Sequence, residues 1–371
     1  MNVSLYRLLD AWKGSVVMNI IHCADIHLGS RMDSALPKNL ASERKAELRA
    51  TFIRMLDYAK AHEVSAILLS GDVFDDALPK RKDKEFFYDA VRANPEIDFL
   101  YLRGNHDRLE SYTVTDLPNL KTFTDSFTTY TYGNLDITGI ECTENNALSM
   151  YATLKLNPDR QNIVMMHGQV TSHSEIDCVN LSELRGKYID YLALGHLHSY
   201  RKEKLDERGC YAYSGCLEGR GFDETGEKGF VLLHVGDTIE SEFVPFAKRT
   251  IAEYTVNLTG TDSVYAAAQK VRGENTSSQD DLLRVILTGE VPYDNEMLAA
   301  DMTKYLETDA YFVSVKDKTV RQYDALEYES SLSLRGEFIR TVLADDSYTQ
   351  DEKQKIIALG LRALDGRELE A

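Results

Sequence analysis

The 371-residue chain predicts an α/β protein, followed by a small α+β unit and a helical tail. Three observations predict it. Short apolar runs of strand length alternate with amphipathic helical stretches through the first hundred or so residues, the pattern of a parallel βαβ start. Between residues 250 and 320 the strand and helix signals shorten and alternate again. Residues 330–371 read as helix alone.

Met18-Asn-Ile-Ile-His-Cys-Ala24 reads as the first strand, which leaves residues 1–17 as an N-terminal extension or a short helix over Leu5–Trp12. That stretch lacks the early positive cluster and long apolar core of a signal peptide. Residues 43–62 predict a helix, because Leu48, Phe52, Met55, Leu56 and Ala59 form one apolar stripe with charges opposite. Val64–Leu69 is the next strand. A helix from Lys82 to Ala93 stops at Asn94-Pro95, since the residue before proline disfavours helix. Asp98–Arg103 is a third strand. From Thr128 the pattern turns strand-rich, with Asn134–Ile140, Asn162–Met166 and Tyr188–Leu194 as strands and Asp177–Leu184 as a short helix. Gly209–Tyr213, Gly229–Val235 and Thr238–Val244 look antiparallel and would finish a second sheet.

Ile251–Leu258 alternates like a strand. A helix over Ser263–Arg272 ends at Gly273. Arg284–Thr288 is a strand, Asp294 or Asn295 could cap a helix to Leu306, and Ala310–Val315 is a strand. In the tail, Leu334, Phe338, Ile339 and Val342 make one stripe. Thr349-Gln-Asp-Glu352 fits a capping box opening a helix that carries Ile356, Ile357, Gly360, Leu361 and Leu364 and stops at Gly366. The expected domains are therefore 18–248, 249–322 and 323–371, after the extension 1–17.

No run approaches the roughly 18 apolar residues of a membrane span. Five cysteines, an odd number without CxxC, fit a reducing compartment, so a cytoplasmic location without membrane contact is expected. The formal charge of −18 is unusual for a nucleic-acid binder. Local cations at Lys80-Arg-Lys82, Arg103, Arg108 and Arg201-Lys202 lie mostly beside the loops described next.

Five clusters of chemically active residues each follow a strand-length run: Asp25-Ile-His27, Gly71-Asp72-Val-Phe-Asp75, Gly104-Asn105-His106-Asp107, His167-Gly168 and Gly195-His196-Leu-His198. Sites in open α/β sheets collect at the carboxyl ends of strands. The clusters supply carboxylate, imidazole and amide groups but no thiolate, a donor set for Mn²⁺, Fe²⁺ or Zn²⁺. Asp72 is the choice for a bridging carboxylate. His106 can donate a proton near neutral pH, and Asp107 can hold its imidazole in one orientation. Asp75 reads equally as a supporting residue or a helix cap. His22, His62, His173 and His234 fall outside the clusters and read as packing or surface residues. Ser214-Gly215 could present backbone amides to a phosphate or form only a turn.

Read as DxH, GDxxD, GNHD, HG and GHxH in that order, these residues resemble the signature of the calcineurin-like metallophosphoesterases, over roughly residues 18–235. Asp25-Ile-His-Leu-Gly-Ser30, Gly71-Asp-Val-Phe-Asp75, Arg103-Gly-Asn-His-Asp107, Tyr213-Ser-Gly-Cys-Leu217 and Gly226-Glu-Lys-Gly-Phe230 look like the SbcD-type DNA repair exonucleases, especially YhaO-like members. The GDxHG, GDxVDRG and GNHE of the Ser/Thr phosphatases are missing.

The resemblance implies a two-sheet sandwich flanked by helices, with a capping domain that helps position DNA. It implies two divalent ions, Mn²⁺ foremost. Asp25, His27 and His198 would complete one site and Asn105, His167 and His196 the other, with Asp72 shared. His106 would face the scissile phosphate, oriented by Asp107. Arg103, Arg108, Ser214 and Gly215 are the expected substrate contacts. It further implies 3′-to-5′ exonuclease activity, with endonuclease activity open, a homodimer, and an SbcC-type coiled-coil ATPase gripped by the C-terminal helices. Two alternatives stay open: a phosphodiesterase for cyclic nucleotides or other small esters, and a weakly active DNA-binding scaffold.

Overall fold

The computed structural model describes residues 18–32, 36–108, 117–293, 296–323, 328 and 330–364. The extension 1–17 with its short helix, the cap at Asp294 or Asn295 and the stop at Gly366 lie outside the described residues. The chain folds as two units, residues 1–250 and 251–371.

In the first unit the elements run β1 (Met18–Cys23), α1 (Lys38–Ala61), β2 (Val64–Ser70), α2 (Arg81–Arg92), β3 (Asp98–Leu102) and β4 (Leu120–Thr122). They continue with β5 (Thr128–Tyr132), β6 (Leu135–Gly139), α3 (Met150–Thr153), β7 (Gln161–His167), β8 (Gln169–Thr171), β9 (Cys178–Asn180) and α4 (Leu181–Leu184). The last are β10 (Tyr191–Gly195), β11 (Arg201–Lys204), β12 (Cys210–Tyr213), β13 (Gly229–Val235) and β14 (Ile239–Pro245). Two six-stranded sheets result, ordered β14-β13-β1-β2-β3-β4 and β11-β12-β10-β7-β6-β5. Both are mixed. Strands β1 to β4 are parallel, as are β6, β7, β10 and β12, and the antiparallel pairs lie toward the edges.

Alternation along each strand sets the layers. Ile20, Leu68 and Leu100 of the first sheet meet Ile137, Ile163, Met165 and Ala193 of the second. Their neighbours Ile21, Ile67, Leu69 and Phe99 turn outward onto Phe52 and Met55 of α1 and Phe87 of α2. On the other side, Val164, Met166, Leu192 and Leu194 pack with Met150, Tyr151 and Leu181. Both faces of the central strands are thus apolar, which explains their continuous hydrophobic runs. Each fully buried side chain of this size contributes about 1.5–3 kcal/mol.

Three expectations change. Helix α1 begins at Lys38, five residues early, directly after Pro37, whose φ of −57° already suits a helix. Residues 178–180 form a strand paired with 169–171, so the short helix is confined to Leu181–Leu184, capped where Asn180 accepts from Ser182 N at 3.0 Å. In the second unit, Gly273 lies inside a helix, with open space where a Cβ would stand, and the helix stops at Asn275.

The second unit contains β15 (Ile251–Asn257), α5 (Val264–Glu274), β16 (Leu282–Thr288), β17 (Glu290–Val291), α6 (Leu298–Leu306), β18 (Phe312–Asp317) and β19 (Val320–Arg321), then α7 (Leu334–Ala344) and α8 (Gln350–Leu364). Strands β15, β16 and β18 form a parallel sheet. Its Val256, Leu283, Val285 and Leu287 pack with Ala267 and Val271 of α5 and Met302 and Leu306 of α6. Thr349 N donates to Glu352 Oε2 at 2.8 Å and Glu352 N to Thr349 Oγ1 at 3.4 Å, the expected capping box. Gly360 lets α8 approach α7: a Cβ there would lie 2.1 Å from the Phe338 ring. Among the described residues, no helix is long and apolar enough to cross a membrane.

His22 ties the two sheets together. Its Nδ1 lies 3.0 Å from Tyr191 Oη and its Nε2 3.2 Å from the Leu194 carbonyl. The neutral ring satisfies both, donating to the carbonyl and accepting from the phenol. Burial lowers its pKa from 6.5 to about 3. The unfolded chain therefore takes up this proton as pH falls below 6.5, while the folded chain resists until about 3. His22→Gln, which cannot titrate, should flatten the loss of stability across this window by up to about 1.4 kcal/mol per pH unit. Urea unfolding of the metal-free protein at stepped pH checks this.

Candidate metal centre

The five clusters occupy the carboxyl ends of β1, β2, β3, β7 and β10. Their loops are bonded to one another. Asp25 N donates to Gly71 O at 3.1 Å, His27 N to Asp72 O at 3.0 Å and Leu28 N to Val73 O at 2.8 Å. His106 N donates to Asp72 Oδ1 at 2.8 Å, and His196 N to both Asp25 oxygens at 3.0 Å. Asp25, His27 and Asp72 all sit at φ 52°, and His196 at 110°. Non-glycine residues avoid this region at a cost of about 1–3 kcal/mol, and it persists where surrounding bonds over-determine it. Two glycines leave the room: a Cβ at Gly71 would stand 2.1 Å from His167 Nδ1, and one at Gly104 2.2 Å from Asp72 Oδ1.

These loops bring seven predicted side chains into one cluster, with Asp25, His27, Asp72 and His167 buried and Asn105, His196 and His198 half-buried. Donor atoms of Asp25, His27 and His198 lie within 4.8 Å of one another, as do those of Asp25, Asp72 and His167. His27 Nε2 faces His198 Nε2 at 3.2 Å. Asp72 Oδ2 is 3.9 Å from His27 Nε2 and 3.4 Å from His167 Nε2. Asn105 Oδ1 is 3.0 Å from His167 Nε2 and 3.2 Å from His196 Nδ1. The donors form two groups with Asp72 between them. Carboxylate, imidazole and amide oxygen converging without a thiolate fit divalent cations.

The electrostatics point the same way. Burial raises Asp25 to about 6, helped by Asp72. Burial would also raise Asp72, but His167 and His27 hold it well below the usual carboxylate range. Burial would lower His167, yet Asp72 opposite lifts it to about 9. Burial depresses His27 to about 4 and lowers His196. Without a cation, protons must balance the buried carboxylates. A bound dication would replace them, so metal binding here should release protons.

Asp107 does not orient His106. It is fully buried, and it accepts from Gly104 N at 2.7 Å, Val73 N at 2.8 Å and Tyr101 Oη at 2.7 Å, which locks the β2 and β3 loops together. His106 is oriented instead by the Asp75 carbonyl, 2.9 Å from its Nδ1. Ser214 and Gly215 are buried, and the Ser214 hydroxyl donates to Gly215 O at 3.1 Å within their own turn. They back the His198 loop: Gly215 packs against Tyr200 N, and Cys216 N donates to His198 O at 3.4 Å. Arg103 is held by Glu141, with Nε at 2.9 Å from Oε1, and Arg108 pairs with Asp177. Both charges are answered within the protein.

Sequence reasoning missed Arg220 and Glu224, and met Lys228 only inside the motif Gly226-Glu-Lys-Gly-Phe230, without a role. Glu224 Oε1 is 2.6 Å from His198 Nδ1, Arg220 Nη1 donates to Asp75 Oδ1 at 2.9 Å, and Lys228 Nζ donates to His198 O at 2.9 Å. Burial would raise Glu224, but His198 and Arg220 hold it well below its ordinary value. Asp75 Oδ1 in turn stands 3.1 Å from His27 Nδ1, which makes it a supporting residue. For Arg220 and Glu224 the signal was a charged, glycine-rich stretch, Gly219–Lys228, with no strand or helix period.

The close fit at Gly104 is directly testable. Gly104→Ala should fold, since the backbone there needs no positive φ. It should nevertheless displace Asp72 and weaken Mn²⁺ binding by about tenfold or more, which is about 1.4 kcal/mol. Calorimetric titration alongside circular dichroism separates the two effects.

The profile of the calcineurin-like phosphoesterases matches residues 18–200. The chain is 24% identical over 369 residues to the DNA double-strand break repair protein Mre11 of Sulfolobus acidocaldarius, covering 92% of this chain and 94% of that one. It is 30% identical over 239 residues to the uncharacterized metallophosphoesterase YhaO of Bacillus subtilis, covering 59% of this chain and 57% of that one. Over 101 residues it is 36% identical to one of the subunits of the SbcCD nuclease of Rhodobacter capsulatus, covering 25% of this chain and 23% of that one. With two packed mixed sheets and this donor cluster at their strand ends, residues 18–200 carry a calcineurin-like phosphoesterase domain, of a family of metal-dependent hydrolases built around a dinuclear divalent centre.

Proposed function

We propose that this protein hydrolyses DNA phosphodiester bonds as the nuclease component of a DNA-repair assembly. The observation that carries the reading is the position of Asp72, 3.9 Å from His27 Nε2 and 3.4 Å from His167 Nε2. One carboxylate shared by two donor groups suits a two-metal site. Asp25, His27 and His198 would hold one ion with Asp72, and Asn105, His167 and His196 the other. Two bound divalent ions supply charge neutralisation and an acidified water. We assign manganese, as the family resemblance implies and the nitrogen and oxygen donors allow.

His106 does the chain's own chemistry. With Nδ1 held by the Asp75 carbonyl, its Nε2 has no partner among the described residues. That nitrogen stabilises charge developing on the phosphate and protonates the departing 3′ oxygen. Its ring stands edge-on to His27, with centroids 4.8 Å apart, so it borders the cluster.

A DNA substrate is supported by the relatives' names. Beside the centre lies a cavity of about 350 Å³, where Arg31, Lys80 and Arg220 share the walls with Asp75, Asp76, Asp223 and Glu224. Degradation runs 3′ to 5′, with endonuclease activity left open. We further propose a coiled-coil ATPase of the SbcC type as partner, gripped by α7 and α8. Leu334, Leu359 and Leu364 are exposed there, and the Rhodobacter relative is named as part of a larger nuclease. A cytoplasmic homodimer completes the proposal.

The test is a Mn²⁺ nuclease assay on linear, nicked and hairpin DNA, beside bis-p-nitrophenyl phosphate and a cyclic nucleotide. DNA cleavage is expected; hydrolysis of the small esters alone would favour a small-molecule phosphodiesterase. His106→Asn should keep both ions and lose about 10²–10⁴-fold in rate. Cleavage by that variant at the native rate would remove His106 from the chemistry.

A further inference from the structure

We propose that Glu224 and Arg220 are positioning residues that back one of the two cation positions and not the other. The proposal rests on the two-metal reading above.

Hydrogen bonds form a strap behind His198 whose last step, from Asp75 to His27, is a 3.1 Å contact without hydrogen-bond geometry. His198 Nδ1 meets Glu224 Oε1 at 2.6 Å. Arg220 donates to the same oxygen from Nε at 2.9 Å and from Nη2 at 2.7 Å, and its backbone N donates to Glu224 Oε2 at 2.7 Å. Arg220 Nη1 then reaches Asp75 Oδ1 at 2.9 Å, and that oxygen stands 3.1 Å from His27 Nδ1. The strap thus runs His198, Glu224, Arg220, Asp75, His27. On the far side of both rings, the two Nε2 atoms face each other at 3.2 Å.

The chemistry follows from which ring nitrogen carries the proton. Arg220 Nη2 also lies 3.1 Å from His198 Nδ1, but a guanidinium only donates. The carboxylate at 2.6 Å is the partner that a protonated Nδ1 can use. A proton on Nδ1 leaves the Nε2 lone pair free for a metal, and an anionic partner makes the imidazole a stronger donor. Asp75 lies against His27 in the corresponding place.

The other group lacks this backing. His167 Nδ1 lies 2.9 Å from the Ser70 carbonyl, a neutral acceptor. His196 Nδ1 points at Asn105 Oδ1, itself a candidate ligand, at 3.2 Å. The Glu224 carboxylate therefore backs His198 by a hydrogen bond and Asp75 stands in contact behind His27, whereas among the described residues no carboxylate backs the imidazoles of the other position. The first position should bind its cation more tightly, and the difference should depend on Glu224.

A merely structural salt bridge would make a different prediction. Removing it would lower the melting temperature without distinguishing two cation positions. The experiment titrates Mn²⁺ into metal-free full-length protein by calorimetry. Electron paramagnetic resonance reports when both positions fill, through spin coupling between neighbouring ions. For Glu224→Ala the tighter step should weaken by about 10–100-fold, with the weaker step within about twofold of wild type. Glu224→Gln keeps the acceptor oxygen and removes only the charge, so it should lose less and should fold where the alanine variant does not. Unchanged binding in both variants, with or without a lower melting temperature, overturns the proposal. So does an equal loss in both steps. If the wild-type protein binds fewer than two ions, the two-metal reading itself fails, and the strap's role fails with it.

Discussion

The structure is organised around one buried carboxylate. Asp72 is almost wholly removed from water, where an uncompensated negative charge is expensive. Its neighbours answer that charge: the His106 backbone N–H at 2.8 Å, the His167 ring at 3.4 Å and the His27 ring at 3.9 Å. To bring them so close, Gly71 and Gly104 must lack side chains, and Asp25, His27 and Asp72 must accept left-handed backbone. The hydrogen bonds between the β1 and β2 loops hold that strain in place. Left-handed backbone also occurs at Met32, Glu63, Asp177 and Tyr188, but here three such residues converge on one carboxylate, a clustering that points to function.

The two sheets explain why the site stands where it does. Their central strands are apolar on both faces, so ionisable side chains find no place along them. The strand ends are the first positions where chain, still rigidly anchored, becomes free to carry polar groups. His22 shows the exception: an imidazole inside the sandwich survives only because Tyr191 and Leu194 satisfy both nitrogens. The acid-side cost it carries is that of burying a base in its neutral form.

The same contrast decides what was legible from residues alone. The five clusters stood out because each polar group broke a hydrophobic run at a strand end. The strands and α1 were visible for the same reason. Arg220 and Glu224 were not, since the segment carrying them has no period and reaches His198 only by folding back after β12. Asp107 was misread because sequence adjacency suggested a partner in His106. In fact its carboxylate points into the loops, toward Gly104 N and Tyr101 Oη. Ser214 failed in the opposite sense: its position near a motif said nothing of its burial. Gly273 looked like a stop, yet open space around it lets the helix continue.

A formal charge of −18 still has to be reconciled with a polyanionic substrate. Surface charge cannot do it, because Arg103 and Arg108 face Glu141 and Asp177 rather than solvent phosphate. The centre can. On the proposed reading two dications join the Asp25 and Asp72 carboxylates, so the most buried part of the site changes from net negative to net positive. Arg31, Lys80 and Arg220 at the adjoining cavity are more than offset by Asp75, Asp76, Asp223 and Glu224, so the positive field is that of the ions. Coulombic attraction there is stronger than at the surface, since a low-dielectric wall screens it less. The protein would then hold nucleic acid chiefly at the place where it cuts, and only when loaded, while the rest of its surface repels the duplex.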